Sequence, residues 1–221
     1  MNHSLSILKS FGKFKSIICL NGDLPNKQLI DIVQLEFALP IIAVDGASRR
    51  LSQIQIEPQV IIGDLDSDDP TLFSHIKRIL KDHQDYSDFY KTTMYLKEQN
   101  LLPAIIFGID GGYLDHVLHN ISIFSQMYSI YMTNTQIGLM VTNTVALTLP
   151  INSKISIIGT PQAIVNSNGL KWELVQHKLN MFGSHFKIES SLSNRTLKEN
   201  IKIDVISGRA LIIINTLNST D

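Results

Sequence analysis

Residues 16–131 alternate short, dense runs of β-branched and apolar residues with longer stretches of helical spacing, a pattern that few folds accept. Short apolar runs separated by amphipathic segments mark βαβ units that feed a mostly parallel sheet. Strands are expected at 17–20, 41–44, 60–62 and 105–108, each short and β-branched, as strands buried on both faces tend to be. Between them Leu29, Ile32, Val33 and Phe37 recur at steps of three and four, as do Leu72, Ile76, Ile79 and Leu80. A further helix is expected over 87–99, opened by Ser87 as cap.

Beyond about residue 133 the helical spacing disappears. Strand-like runs at 138–142, 146–149, 154–158, 186–189, 201–205 and 210–215 are punctuated by Asn, Ser and Gly at hairpin spacing. That texture predicts an antiparallel sandwich or barrel. The expected organisation is therefore an α/β domain with a mostly parallel sheet over 1–134, followed by an all-β sandwich over 135–221. Residues 1–15 read as a short leader into the first strand.

Composition narrows the function classes. Hydrophobic residues make up 44% of the 221 and charged residues 18%, enough apolar surface to bury a core. The net charge of −1 and the lack of a Lys/Arg cluster remove the attraction that nucleic acid or an anionic membrane would need, so neither partner is expected. Cys19 is the sole cysteine, which excludes an internal disulfide and a Cys-based zinc site. No apolar stretch reaches membrane-spanning length, and a cytoplasmic setting is expected.

Ligands of open α/β sheets bind at the carboxyl ends of the strands, and here those ends carry acid. Asp45-Gly46-Ala47 follows the second expected strand, Gly63-Asp64-Leu65-Asp66-Ser67 the third, and Asp110-Gly111-Gly112, with Asp115 and His116, the fourth. In an extended backbone the carboxylates of Asp64 and Asp66 would point to one side, where a hard divalent cation relieves their repulsion. The other reading of this pair is a solvated or helix-capping loop, and the nearby Asp45, Asp85 and Asp88 favour the metal. Gly111 and Gly112, after a strand and before a helical stretch, fit either a phosphate approach or a simple turn. No P-loop and no complete dinucleotide fingerprint occurs. His116 and His119 stand three apart on an expected helix without a zinc motif around them, and the acids favour a harder ion. Trp172 alone fits a core position better than a ligand platform.

Taken in order, these segments resemble the thiamine pyrophosphokinase family over roughly residues 17–214. The resemblance is carried by Asn21-Gly22, Asp45-Gly46-Ala47, Gly63-Asp64-Leu65-Asp66-Ser67, the block from Gln84 and Asp85 through Ser87 and Asp88 to Lys91, and Gly108 through Gly111-Gly112-Tyr113-Leu114-Asp115-His116 to Asn120. In the second half Gly169-Leu170-Lys171-Trp172 and Ser191-Leu192-Ser193-Asn194 resemble the segments the family uses around thiamine. His83 stands where an Asp is usual, and Tyr113 where Arg is common.

The resemblance implies transfer of diphosphate from ATP to thiamine with release of AMP, a Mg²⁺ cofactor, and a homodimer with its thiamine sites between subunits. It implies Asp64, Asp66 and Asp88 as metal ligands and, with Asp115, as the catalytic set. Asp45, Gly46, Ser67, Lys91, Gly111 and Gly112 would serve ATP, and Gln84, Asp115, Trp172, Ser193 and Asn194 thiamine. The alternatives are a pyrophosphokinase for another hydroxymethyl heterocycle, such as a pterin, and a non-catalytic protein that binds thiamine or nucleotide.

Overall fold

The structure, a computed structural model, describes residues 2–181 and 189–216. Its elements run α1 (Asn2–Phe11), β1 (Ser16–Cys19), α2 (Lys27–Phe37), β2 (Ile41–Val44), α3 (Ala47–Gln53), β3 (Val60–Gly63), β4 (Lys77–Leu80), α4 (Asp88–Glu98), β5 (Ala104–Phe107), α5 (Leu114–Phe124), β6 (Ile130–Met132), β7 (Gln136–Val141), β8 (Thr144–Thr148), β9 (Lys154–Asn168), β10 (His177–Asn180), β11 (Ser191–Arg195) and β12 (Asn200–Asn215). The chain divides into two compact units, Lys13–Asn134 and Met1–Gly12 with Thr135–Asp221. None of the described helices is long and apolar enough to cross a membrane.

The first unit is the expected α/β arrangement. Its strands lie in the order β6-β5-β1-β2-β3-β4, all parallel, with Ile17 opposite Ile41 on one side and Ile105 on the other. β1, β2 and β5 are buried along their whole length, which is why each carries an Ile-Ile pair among other small or apolar residues rather than an alternating pattern. From β1 the chain adds β2, β3 and β4 on one side and β5 and β6 on the other. The order therefore reverses at β1, the place in such sheets where a crevice opens at the carboxyl ends. Helix starts are chemically marked: the Asn26 side chain accepts from Leu29 N at the head of α2, and the Ser87 side chain from Tyr90 N at the head of α4.

One expected helix is absent. Residues 72–80 form a turn-rich segment ending in the edge strand β4, paired parallel to β3. Local hydrogen bonding wins over the apolar spacing here. Asp69 Oδ1 accepts from Thr71 N and Oγ1, and the Arg78 guanidinium collects the carbonyls of Asp69, Leu72, Phe73 and Ile76. Its Nε lies 2.7 Å from Oδ2 of buried Asp68, whose Oδ1 takes a hydrogen bond from Ser48 Oγ at 2.6 Å. The backbone closes separate turns instead of a helical ladder, with Leu72 N–H donating to Asp69 O and Ile76 N–H to Phe73 O.

The second unit is antiparallel and β-rich. β12 is its hub, pairing with β7 through Ala210–Val141 to Asn215–Gln136, with β8 through Asn200–Thr148 to Asp204–Thr144, and with β9 over most of its length. β10 and β11 both pair with β9. The runs expected as two strands, 201–205 and 210–215, are one strand bent by register shifts at Val205/Ser207 and Gly208/Ala210. β9 likewise continues ten residues past the expected 154–158. Of the strand expected at 186–189 only Glu189 lies among the described residues. The segment expected as a leader is helix α1, grouped with this unit; Ile7 and Leu8 are buried and α1 lies against β8.

Candidate functional site

The carboxyl ends of β1, β2, β3 and β5 open into a cleft of about 760 Å³. Asp45, Asp66, Asp88 and Asp115 line it, with Gly111 and Gly112 at the end of β5 and His116 and His119 on α5. Parallel pairing of β2 with β3 sets Val44 beside Ile62, so the residues that follow, Asp45 and Gly63-Asp64, are neighbours despite their separation in sequence. Gly63 permits this approach: a Cβ there would lie 2.8 Å from the Asp45 Cβ.

Asp45, Asp64 and Asp66 each offer a carboxylate oxygen within 4.8 Å of the others. Their convergence does not come from an extended backbone. Leu65 has φ of +65°, and Asp66 N donates to Asp64 Oδ1 at 3.3 Å, so the Asp-x-Asp segment is a tight turn that folds the second acid back over the first. Asp45 also sits at positive φ, +45°, in a region that Asp tolerates better than most residues.

The acids differ in environment. Burial raises the Asp45 pKa above the ordinary carboxylate value, the charges of Asp88, Asp66 and Asp64 push it further, and the Gly46 N–H opposes them. Its Oδ1 is buried and has no hydrogen-bond partner among the described residues. Burial also works against ionised Asp64, but the Asp66 N–H, Lys91 and Gln84 outweigh it and hold the group below its usual value. Gln84 Nε2 donates to Asp64 Oδ2 at 3.2 Å, which puts this expected thiamine residue on the acid cluster.

Asp88 and Lys91 lie one turn apart on α4. Lys91 Nζ is 2.6 Å from Asp88 Oδ1 and 3.5 Å from Asp64 Oδ2, while Asp64 N also donates to Asp88 Oδ1 at 3.0 Å. Asp88 is thus one hydrogen bond behind the converging trio, of which Asp45 rather than Asp88 is the third member. Burial depresses the Lys91 pKa, yet the Asp88 and Asp64 contacts leave it above the usual lysine value. Ser67 Oγ donates to Asp66 Oδ1 at 2.9 Å, and Gly46 heads α3. His119 Nε2 is 3.0 Å from Ser87 Oγ, and neither His116 nor His119 belongs to the metal-competent group.

Gly111 and Gly112 have φ of +83° and +71° and deliver the chain into α5, where Asp115 sits exposed in the first turn. A Cβ at Gly112 would meet nothing within 4 Å, whereas at Gly111 it would lie 2.3 Å from the Asp23 carboxyl carbon. The sequence reading passed over Arg50, which also lines the cleft and makes no ion pair among the described residues. Its signal was hidden because α3, only seven residues long, was not recognised as a helix.

The expected thiamine segments of the second unit form one local construction. Asn194 is buried; its Nδ2 donates to Trp172 O at 2.8 Å and to Ser191 Oγ at 3.0 Å, and its Oδ1 accepts from Trp172 N and Arg195 N. With two donors and two acceptors all engaged, this amide holds the Trp172 loop and keeps nothing for a ligand. Glu173 closes the same loop by accepting from Gly169 N, Leu170 N and Ser167 Oγ. Trp172 is 55% exposed, not a core residue, and Lys171 Nζ lies 4.8 Å from its ring centroid. Ser193, at φ of +55°, donates its N–H to Ser156 Oγ.

A reversing parallel sheet whose strand ends gather carboxylates around an open crevice defines an α/β protein with its main cleft at the switch point, where ligands of such sheets bind. Within that class, residues 35–139 match the family model described as thiamin pyrophosphokinase, catalytic domain, which bears out the family resemblance read from the sequence. The fold is shared with solved thiamin pyrophosphokinases. That of Bacillus subtilis is 20% identical, with a TM-score of 0.73 over 91% of this chain and 99% of that one. The yeast protein is 18% identical, with a TM-score of 0.73 over 94% and 90%, and the Candida albicans protein 17% identical, with 0.72 over 91% and 89%. No curated protein matches the chain significantly.

Proposed function

We propose that this protein transfers the terminal diphosphate of ATP to the hydroxyethyl oxygen of thiamine, giving thiamine diphosphate and AMP. The observation that carries the reading is the trio Asp45, Asp64 and Asp66, with ligand oxygens within 4.8 Å of one another at the strand ends of the matched segment. A cleft lined by acids repels a polyphosphate. Mg²⁺ fits these residues, since every donor is a hard carboxylate oxygen and buried Asp45 Oδ1 has no other partner among the described residues. Bound there, the ion would neutralise phosphate charge and polarise the phosphorus under attack.

The chain's own groups do the rest. Asp45, Asp64 and Asp66 would hold the ion, and Asp88 is close enough to join them. Lys91 and Arg50 supply positive charge for phosphate, and Gly112 leaves the backbone at the head of α5 open to approach. Asp115, exposed on the cleft wall, would accept a hydrogen bond from the acceptor hydroxyl and orient it. Trp172 offers an indole face to a cationic thiazolium. Asn194 acts as a positioning residue for Trp172, and Gln84 for Asp64. A homodimeric, cytoplasmic working form rests on the resemblance, and sedimentation of the purified protein tests the dimer.

The deciding assay separates nucleotide products after incubation with ATP, Mg²⁺ and thiamine, a pterin alcohol, or no acceptor. AMP formation that depends on thiamine is the expected result. ADP with thiamine monophosphate would mean the wrong transfer class, pterin-dependent AMP would reassign the acceptor, and binding without turnover would leave a binding protein.

A further inference from the structure

Two cations have a claim on the same carboxylates. Lys91 is buried, with 6% of its side chain exposed, and its Nζ already contacts Asp88 Oδ1 at 2.6 Å and Asp64 Oδ2 at 3.5 Å. The rest of the cluster is differently served. Asp45, 8% exposed, keeps Oδ1 buried and unpartnered among the described residues, and offers a carboxylate oxygen within 4.8 Å of those of Asp64 and Asp66. Asp64 belongs to both sets, so an ion among the trio and the ammonium of Lys91 compete for it and repel each other.

We propose that Lys91 is an internal countercation: it neutralises Asp64 and Asp88 while the cleft holds neither metal nor nucleotide, and moves to a phosphate oxygen when the metal–nucleotide complex enters. The inference rests on the function proposed above. A buried ammonium cannot leave its carboxylates without another anion to meet, because an unpaired buried charge is strongly disfavoured. Metal alone offers none, whereas a polyphosphate does. Metal and nucleotide therefore bind synergistically, each tightening the other by the same factor.

The test uses Mn²⁺, followed by the electron paramagnetic resonance of the free ion, with wild type and Lys91→Met, and with and without α,β-methylene-ATP, whose α–β linkage cannot be cleaved. Methionine is unbranched and only one atom shorter than lysine, and it removes the charge. Lys91→Met is expected to bind Mn²⁺ alone roughly tenfold more tightly than wild type, the low end of what a unit charge at this range does to a carboxylate's ion binding. The enhancement by the analogue should shrink by a similar factor. Equal Mn²⁺ affinity in the two proteins overturns the proposal. Failure of wild type to bind Mn²⁺ even with the analogue would instead overturn the proposed function. If Lys91→Met does not fold, crystal structures of unmodified protein decide: Nζ on Asp88 in the empty form and on a phosphate with Mg²⁺ and analogue supports the exchange, and Nζ on Asp88 in both refutes it.

Discussion

The acid cluster and the Trp172 loop, one in each unit, both carry a lysine where a cationic ligand is expected, and they differ in how deep that lysine lies. Lys91 is 6% exposed and ion-paired at 2.6 Å, while Lys171 rests 4.8 Å from the centroid of an indole that is itself 55% exposed. A cation over an exposed ring is worth only about 0.5–1 kcal/mol, and water readily replaces it. Breaking a buried pair by removing one partner costs about 3–5 kcal/mol. The first contact opens only when another anion takes over the ammonium, and the second yields to any better cation.

The sharpest break of this contrast is Asp66→Asn or Asp88→Asn. Each should lower thiamine-dependent AMP formation by about 100-fold or more, the scale for losing one electrostatic group at a reacting centre, with circular dichroism unchanged. Normal activity in either variant would remove that residue from the metal site. Next in size, Asp68→Ala leaves Arg78 without its carboxylate and should cost about 3–5 kcal/mol in urea unfolding. A loss under about 1 kcal/mol, the median for an exposed pair, would show that Arg78 is effectively solvated.

On the indole side, Trp172→Ala should raise the thiamine KM by about 2- to 30-fold, the factor corresponding to one cation–π contact, with the ATP KM little changed. An unchanged thiamine KM would deny the ring its role.

The smallest effect sets function against stability. The Asp45 pKa is raised in the fold, so its ionisation costs stability, and metal-free protein should lose stability as pH rises from the usual carboxylate value through the raised one. Asp45→Asn, which keeps tolerance for positive φ, should stabilise metal-free protein by about 0.5–2 kcal/mol near pH 7 while weakening Mn²⁺ binding. Destabilisation in the absence of metal would mean that the carboxylate has a partner in the fold.

The elements most legible in the sequence were those fixed by burial on both faces. β1, β2, β3 and β5 are almost wholly apolar, with Ser16 the one hydroxyl among them, and each was located within a residue at either end. β4 was not legible, because an edge strand of Lys77-Arg78-Ile79-Leu80 is half solvated and lacks a continuous apolar run. Ser207-Gly208 looked like a turn and is a bulge, since a pleated strand absorbs an extra residue without reversing. The acids of the site were named from strand ends, but the place of Asp45 in the trio depends on β2–β3 register. The use of Asn194 as a loop clamp depends on contacts that only the folded chain makes.

β4 has a further consequence, for self-association. Within its unit it ends the sheet and pairs on one side alone, with β3. A bare strand edge invites another chain to continue the ladder, and natural proteins blunt such edges by brevity and charge. This one is four residues long, begins with Lys77 and is followed at once by Lys81, so two positive charges stand at its ends while Arg78 is neutralised by Asp68. Two copies meeting there would bring like charges together before any backbone hydrogen bond could form, which protects the protein from edge-to-edge aggregation where its sheet is least covered.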